Sequence, residues 1–285
     1  MIKILVTGAK GQLGLELKSL AKGINNYSFE FADSKSLDIS SKLNVIAYFE
    51  NNNYDYCINC AAYTAVDKCE DEREKSELVN YNGVSYIADA CKEFDIVLIH
   101  ISTDFVFDGI KNTAYVETDK PNPINSYGAS KLKGELVVQE ILQKYFIIRT
   151  SWLYSSFKDN FVKTMLKLSE SRDVLNIIDD QIGTPTYARD LAKVILRIIE
   201  EENLEYGIYH YSNEGIASWY DFAKIIFEYS NTKIRILPIA TDQYPLPAER
   251  PKFSVLNKNK IKKVLNIEIP HWTESLQECI KKINY

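Results

Sequence analysis

The sequence predicts an α/β protein: a doubly wound parallel sheet with a smaller, interleaved C-terminal lobe. Three observations carry this expectation. The β-branched run Ile2-Lys-Ile-Leu-Val6 passes through a glycine turn into Leu13, Leu17 and Leu20 at helical spacing, which reads as strand, turn, helix. Apolar strand candidates then alternate with amphipathic helical stretches, the pattern of βαβ units. With 285 residues and 46% hydrophobic content, the chain is long and apolar enough to bury a large core and add a second lobe.

In order, strands are expected at 2–6, 29–31, 57–60, 97–101 and 146–149, with helices at 42–51 and 82–93 among the connections. In such a sheet, ligands lie beyond the carboxyl ends of the strands. Gly8, Asp33, residues 61–67, 102–104 and 150–152 each follow a strand and become candidate functional positions. Pro121-Asn-Pro123 favours a loop, and Asn125 or Ser126 is available to cap the helix that follows. Beyond residue 150 the chain interleaves: 186–201 and 207–212 return to the sheet, while 217–285 mostly builds the lobe.

Composition excludes several classes. A net charge of -5 and a pI near 5.4 leave no electrostatic footprint for nucleic acid. The chain enters a strand at once, without a secretory segment or an apolar run of membrane-spanning length, so no membrane partner and a cytoplasmic location are expected. Five cysteines form no regular framework and read as reduced thiols. Cys57 and Cys60 lie three apart on a strand and so point to opposite faces. His100, His210 and His271 lack ligand spacing, and Cys69, among Asp67, Glu70, Asp71, Glu72 and Glu74, reads as part of a solvated acidic helix; no metal site is predicted.

Two motifs carry chemistry. In Val6-Thr-Gly8-Ala-Lys-Gly11-Gln-Leu-Gly14, Gly8 permits the tight turn, Gly11 lets backbone amides approach a pyrophosphate, and Gly14 allows close helix packing. Its G-x-x-G-x-x-G spacing departs from the G-x-G-x-x-G form. In Tyr127-Gly-Ala-Ser-Lys131 the phenol and amine, four residues apart, project from one helical face. There the ammonium is expected to lower the tyrosine pKa for proton transfer. A chain with 19 tyrosines offers Tyr-x-x-x-Lys by chance, so the pair gains weight only beside the glycine turn.

Further blocks extend the pattern: Asn59-Cys-Ala-Ala-Tyr-Thr-Ala-Val-Asp67, Ser102-Thr-Asp-Phe-Val-Phe-Asp-Gly109, Arg149-Thr-Ser-Trp-Leu-Tyr154, Asp180-Gln-Ile-Gly-Thr-Pro-Thr186 and Arg250-Pro251. Together with the two motifs, they make the chain resemble the extended short-chain dehydrogenase/reductases across essentially its whole length, in the branch that acts on nucleotide-linked deoxysugars. The resemblance implies a Rossmann-type cofactor domain over 1–150 and 187–213, and a nucleotide-sugar lobe over 151–186 and 214–285. It implies transfer of a hydride from NADPH, with NADH also accepted, to the C4 ketone of a dTDP-linked 4-keto-6-deoxyhexose, giving dTDP-L-rhamnose for surface polysaccharide.

Residue by residue, the resemblance makes Thr103, Tyr127 and Lys131 catalytic: Thr103 bonds the ketone, Tyr127 protonates it, and Lys131 tunes the phenol and holds the nicotinamide ribose. Ser102 competes with Thr103 for the hydroxyl role. Gly8, Lys10, Gly11, Gln12, Leu13, Asp33, Ser34, Asp38, Ile39, Ala61, Ala62 and Tyr63 complete the cofactor set. Asp33 stands where an acid commonly bonds the adenosine ribose, whereas Lys10, Ser34 and Lys35 suit a 2'-phosphate. Asp38 also reads as a helix N-cap. Val66, Asp67, Thr103, Asp104, Trp152, Gln181, Thr184, Thr186 and Arg250 are the implied substrate contacts, with Arg250 pairing bidentately with the pyrophosphate.

Some family members hold magnesium through glutamates at a dimer contact. Glu16 matches one such position, Asp190 stands where a second glutamate is expected, and Lys282-Ile-Asn-Tyr285 lacks a third. A metal-independent monomer or weak homodimer is expected. A 4-epimerase and a noncatalytic regulatory subunit of methionine adenosyltransferase type stay open; Phe105 after Asp104 argues against a dehydratase, which needs an acid pair there.

Overall fold

The computed structural model describes residues 1–201 and 204–283. Its centre is a six-stranded, wholly parallel sheet. The first five strands are β1 (Ile2–Thr7), β2 (Tyr27–Phe31), β3 (Tyr56–Asn59), β4 (Val97–Thr103) and β5 (Tyr145–Thr150), and Gly207–His210 is the sixth. Across the sheet the order is Gly207–His210, β5, β4, β3, β1, β2. All five expected strands form, and the return near residue 207 supplies the sixth.

Both faces of the sheet are covered, which is why its strands read as nearly continuous apolar runs. The pleat sends Ile4, Val6, Ile58, Ile99, Phe146 and Ile148 to one face, where α1 (Gln12–Ala21) and the Ala188–Glu200 helix pack. It sends Leu5, Cys57, Leu98 and Ile147 to the other, under the helices Lys42–Glu50, Gly83–Glu93 and Ser126–Ile141. Cys57 and Cys60 accordingly join different cores, and all five cysteines are free.

A third core defines the lobe, with Tyr154, Val162, Leu175, Tyr187, Phe222, Ile226, Trp272 and Leu276 at its centre. Three short strand pairs frame it: Leu153–Tyr154 with Thr186–Tyr187, Val174–Ile178 with Arg235–Ile239, and Ile182–Gly183 with Ala217–Ser218. The Trp219–Tyr229 helix opens with a reciprocal capping box between Ser218 and Asp221. Not all of 214–285 goes to this lobe. Ile261, Leu265 and Ile269 pack on the sheet instead, beside Leu196 and Tyr209, because the Asn259–Leu265 helix follows the edge strand Gly207–His210.

The acidic helix expected to be solvated is a second departure. Cys69 is fully buried, Glu70 accepts from Ser126 N and Oγ, Glu72 accepts from the Tyr63 hydroxyl, and Asp67 pairs with Arg250. Among the described residues, no helix is long and apolar enough to cross a membrane.

Candidate active site

Sheet order reverses between β1 and β3, the position at which open α/β sheets leave a crevice for ligands. Gly8 turns the chain there with φ +64°, and a Cβ on it would lie 2.6 Å from Ala61 N. The Gly11 N–H donates to Gly8 O at 2.9 Å. A Cβ on Gly14 would lie 2.6 Å from Gly8 O, so the third glycine is required for the helix to sit against the turn. By contrast, a Cβ on Gly11 would meet only Gly8 O, at 3.2 Å. Gly11 caps α1 without a side-chain bond, and Lys10, Gly11, Gln12, Leu13 and Gly14 all line one cavity. An uncapped helix start with a bare glycine surface fits the pyrophosphate of a dinucleotide.

That cavity has a volume of about 1120 Å³ and runs from the glycine turn to the lobe. Thr103, Asp104, Tyr127 and Lys131 converge on its floor. The Ser126–Ile141 helix is seated by Asn125, whose Oδ1 accepts from Gly128 N at 2.7 Å. A Cβ on Gly128 would lie 2.1 Å from Phe105 O, so the helix start rests directly on the turn after β4. This contact brings Tyr127 to Thr103, with Phe105 edge-on to the Tyr127 ring at 5.7 Å.

Electrostatics depart from the sequence expectation. Burial pushes the Tyr127 phenol above its ordinary value, and only its hydrogen bond with Thr103 pulls the other way. Lys131 sits one turn along the same helix. The amine donates to Ile101 O at 2.6 Å and faces His100 Nε2 at 3.5 Å, and burial brings its own pKa down to about 8 against the opposing pull of Glu135 and Cys60. Ser102 does not compete for the hydroxyl role, since its Oγ is committed to Glu135. Burial pushes Asp104 up to about 6 despite bonds from Ser254 and Thr103, and its Oδ2 has no hydrogen-bond partner among the described residues.

The other expected residues divide. Ala62, Val66, Trp152, Gln181 and Arg250 line the cavity. Trp152, at φ +46°, stacks on Trp219 with centroids 3.6 Å apart, and Trp219 Nε1 donates to Gln181 Oε1. Asp33 forms an ion pair with Lys10 and accepts from Lys35 N and Ser36 N, while Ser34 is exposed beside it. The bond from Lys10, first among these contacts, holds the Asp33 carboxyl well below the usual range. Asp38 is not the N-cap of its helix. That is Ser41, and Asp38 accepts from Ser40 instead. Ile39 is buried against Gly83.

Tyr63 N donates to Asn80 Oδ1, and a backbone-to-side-chain pair thereby anchors the loop carrying Ala61 and Tyr63. Thr184 is fully buried and donates to Gly215 O; Thr186 is fully buried on a short strand. Neither is among the residues that line the cavity. Arg250 is bidentate to Asp67, at 2.7 and 2.6 Å, so its fork is engaged by an internal carboxylate rather than free for an anion. Glu16 accepts from Ser155 and Arg189, and Asp190 from Asn213 and Ser275. Asn284 and Tyr285 lie outside the described residues.

Sequence reasoning missed part of the lobe side of the cavity. Trp219, Phe161 and Tyr244 line it, as does Asn160, whose Nδ2 bonds Gln12 Oε1 across 148 residues at 2.9 Å. The Trp219–Tyr229 helix looks like any amphipathic helix, and only the pairing of Ala217–Ser218 with Ile182–Gly183 aims its first residue at Trp152.

A glycine turn at the switch point, with threonine, tyrosine and lysine converging beside it, defines a dinucleotide-dependent reductase of the extended short-chain class. The chain belongs to the family described as the RmlD substrate binding domain, which it matches over residues 2–285. It is 40% identical over 287 residues to a dTDP-4-dehydrorhamnose reductase of Aggregatibacter actinomycetemcomitans, covering 97% of this chain and 98% of that one. Among solved structures it is similar to the dTDP-4-dehydrorhamnose reductase of Clostridium acetobutylicum, with TM-score 0.95, 41% identity and 100% of both chains covered. The Bacillus anthracis enzyme of that name, solved in complex with NADP, matches with TM-score 0.93 and 40% identity over 99% of this chain and 100% of that one.

Proposed function

We propose that this protein reduces the C4 ketone of dTDP-4-dehydrorhamnose to dTDP-L-rhamnose with NADPH, accepting NADH as well, in the cytoplasm and for surface polysaccharide. One observation carries the reading: Thr103, Tyr127 and Lys131 meet on the floor of a cavity that has the glycine turn at one end and Trp152 on Trp219 at the other. When bound, the nicotinamide supplies the hydride. Gly8, Gly11, Gln12 and Leu13 would hold the pyrophosphate, and Lys10 beside Asp33 and Ser34 would meet the adenosine ribose or its phosphate. Residues 1–150 and 187–213 make up the cofactor side of this reading; 151–186 and 214–285 supply the sugar-nucleotide side, less the sheet-packed Asn259–Leu265 helix.

Tyr127 is the proton donor. Its raised pKa keeps the phenol protonated at neutral pH, as a general acid requires, and the Thr103 hydroxyl beside it orients the ketone oxygen. Trp152 and Val66 would pack against the deoxysugar, and Asp104 beside Thr103 would take a sugar hydroxyl. Arg250 reaches a pyrophosphate only by sharing or leaving Asp67. The test mixes the purified protein with NADPH and the epimerised dTDP-4-keto-6-deoxyhexose, follows nicotinamide absorbance and identifies the sugar by NMR. Stoichiometric oxidation with an L-rhamnosyl product is expected. A different deoxysugar moves the reading to another 4-ketoreductase, and no oxidation refutes it.

A further inference from the structure

Beneath Lys131 lies a buried polar chain that the reaction as described does not use. His100, on β4, is fully buried and faces β3 on one side and the Ser126–Ile141 helix on the other. Its Nδ1 is 3.1 Å from Asn59 Nδ2, and its Nε2 is 3.5 Å from Lys131 Nζ. Which ring nitrogen carries the proton follows from the next link. The Ala61 backbone N–H, which can only donate, lies 3.2 Å from the Asn59 side-chain atom that also accepts from Thr7 Oγ1 at 2.7 Å. That atom is therefore the amide oxygen, and Asn59 presents its NH₂ to His100. His100 Nδ1 must then accept, which puts the ring proton on Nε2, aimed at the lysine amine.

We propose that His100 is a positioning residue for the reduction: locked by Asn59 in the tautomer that offers Nε2–H to Lys131, it fixes where the amine sits and disfavours its charged form. An ammonium facing Nε2–H sets donor against donor; a neutral amine accepts that proton in a hydrogen bond. Ile101 O takes a remaining amine proton in either state. The other groups facing Lys131 act differently. Glu135, one turn along the helix, and Cys60, at the end of β3, both favour the cation, and Glu135 is itself neutralised by Arg149. Tyr127, one turn back, is held protonated by burial. The lowered pKa of Lys131 agrees in direction with the His100 contact. Burial, with Lys131 beside it, likewise keeps His100 neutral.

The role in catalysis rests on the reductase reading above, but the protonation claim does not, so the experiment separates them. Lysine side chains of the full-length protein are labelled for NMR, the Lys131 signal is identified by its loss in Lys131→Met, and its titration is followed without substrate. In His100→Asn the new Oδ1 keeps Asn59 bonded while the shorter Nδ2 amide stops short of Lys131; the titration is expected to move up by about one pH unit. Asn59→Asp keeps the imidazole but forces its proton onto Nδ1, so Lys131 is expected to move upward there too, and this variant serves if His100→Asn does not fold. His100→Gln, which restores an N–H donor, is expected to return the titration toward that of the parent. The kcat–pH limb should move with the titration in each variant. A Lys131 titration unmoved in His100→Asn and Asn59→Asp overturns the proposal, as does a moved titration with an unmoved kcat profile.

Discussion

Glu135 and Arg149 form an ion pair that holds β4, β5 and the Tyr127 helix together directly behind the active site, and it gives the sharpest stability test. Their side chains are 0% and 2% exposed. Arg149 Nε donates to Glu135 Oε1 at 2.9 Å and Nη2 to Oε2 at 2.6 Å, while Ser102 Oγ donates to the same carboxylate. On its far side the guanidinium lies over the Phe107 ring at 5.1 Å. Glu135→Gln preserves shape and one acceptor but leaves a buried cation unpaired, and breaking such a pair costs about 3–5 kcal/mol. With an acceptor retained, about 3 kcal/mol is expected, or a fall in Tm of about 6 °C at roughly 2 °C per kcal/mol for a domain of this size. Urea unfolding monitored by far-UV circular dichroism reads the difference as a shift in midpoint at constant slope. Replacing both partners, Glu135→Leu with Arg149→Met, should recover most of the loss, because the desolvation cost disappears with the charges. A Glu135→Gln variant within about 1 kcal/mol of the parent would show that the guanidinium finds another anion or water, and the reasoning would fail.

Tyr127→Phe should lower kcat by about 10²–10⁴-fold while leaving NADPH affinity, read by nicotinamide fluorescence, nearly unchanged. Gly14→Ala places a methyl 2.6 Å from Gly8 O, so α1 must shift; cofactor affinity is expected to fall at least about tenfold, and normal affinity would remove Gly14 from the cradle. His210 is buried with its pKa brought down to about 3 by burial and Arg149, so between pH 6.5 and 3 the unfolded state binds the extra proton. Stability should fall as pH drops through that window by about 1.4 kcal/mol per unit for this residue, and His210→Gln should flatten the slope. Lys131 follows the same sign in a different window: its folded pKa, about 8, lies below that of the unfolded chain, so stability rises with pH between about 8 and 10.5. Lys131→Met should therefore be more stable at pH 7 by about 1–3 kcal/mol while losing turnover, with the gain shrinking toward pH 10.5.

What the sequence revealed of this fold was what local pattern encodes. β1 through β5 and the glycine turn are contiguous segments whose apolar runs and spacing are set by burial on two faces. Tyr127 and Lys131 were legible because four residues on one helix place them together whatever the rest of the chain does. The ion pair of Arg250 was not, because its partner Asp67 is 183 residues away and nothing local tells a guanidinium aimed at phosphate from one aimed at a carboxylate. The burial of Thr186 was hidden for a related reason: the facing of its short strand is decided by pairing with Leu153–Tyr154. Trp219 reaches Trp152 only through the meeting of two segments of the lobe.

The largest gap between sequence and structure concerns charge rather than position. Spacing placed Lys131 beside Tyr127 and suggested that its charge lowers the phenol pKa, yet burial acts on both groups and drives them toward neutrality. A buried amine near pKa 8 still mostly carries its charge at pH 7 but lies within about one pH unit of losing it, while the raised phenol stays neutral. Such a pair responds to whatever charge enters the cavity. In reduction, negative charge develops on the ketone oxygen as the hydride arrives, and a neutral phenol hydrogen-bonded to Thr103 is then the group able to give up a proton. An ammonium nearby stabilises the phenolate left behind, so the lysine contributes most after transfer rather than before it. On this account, raising the Lys131 pKa through His100 should not improve the enzyme, because the ammonium already predominates near pH 7 and a higher pKa adds little charge.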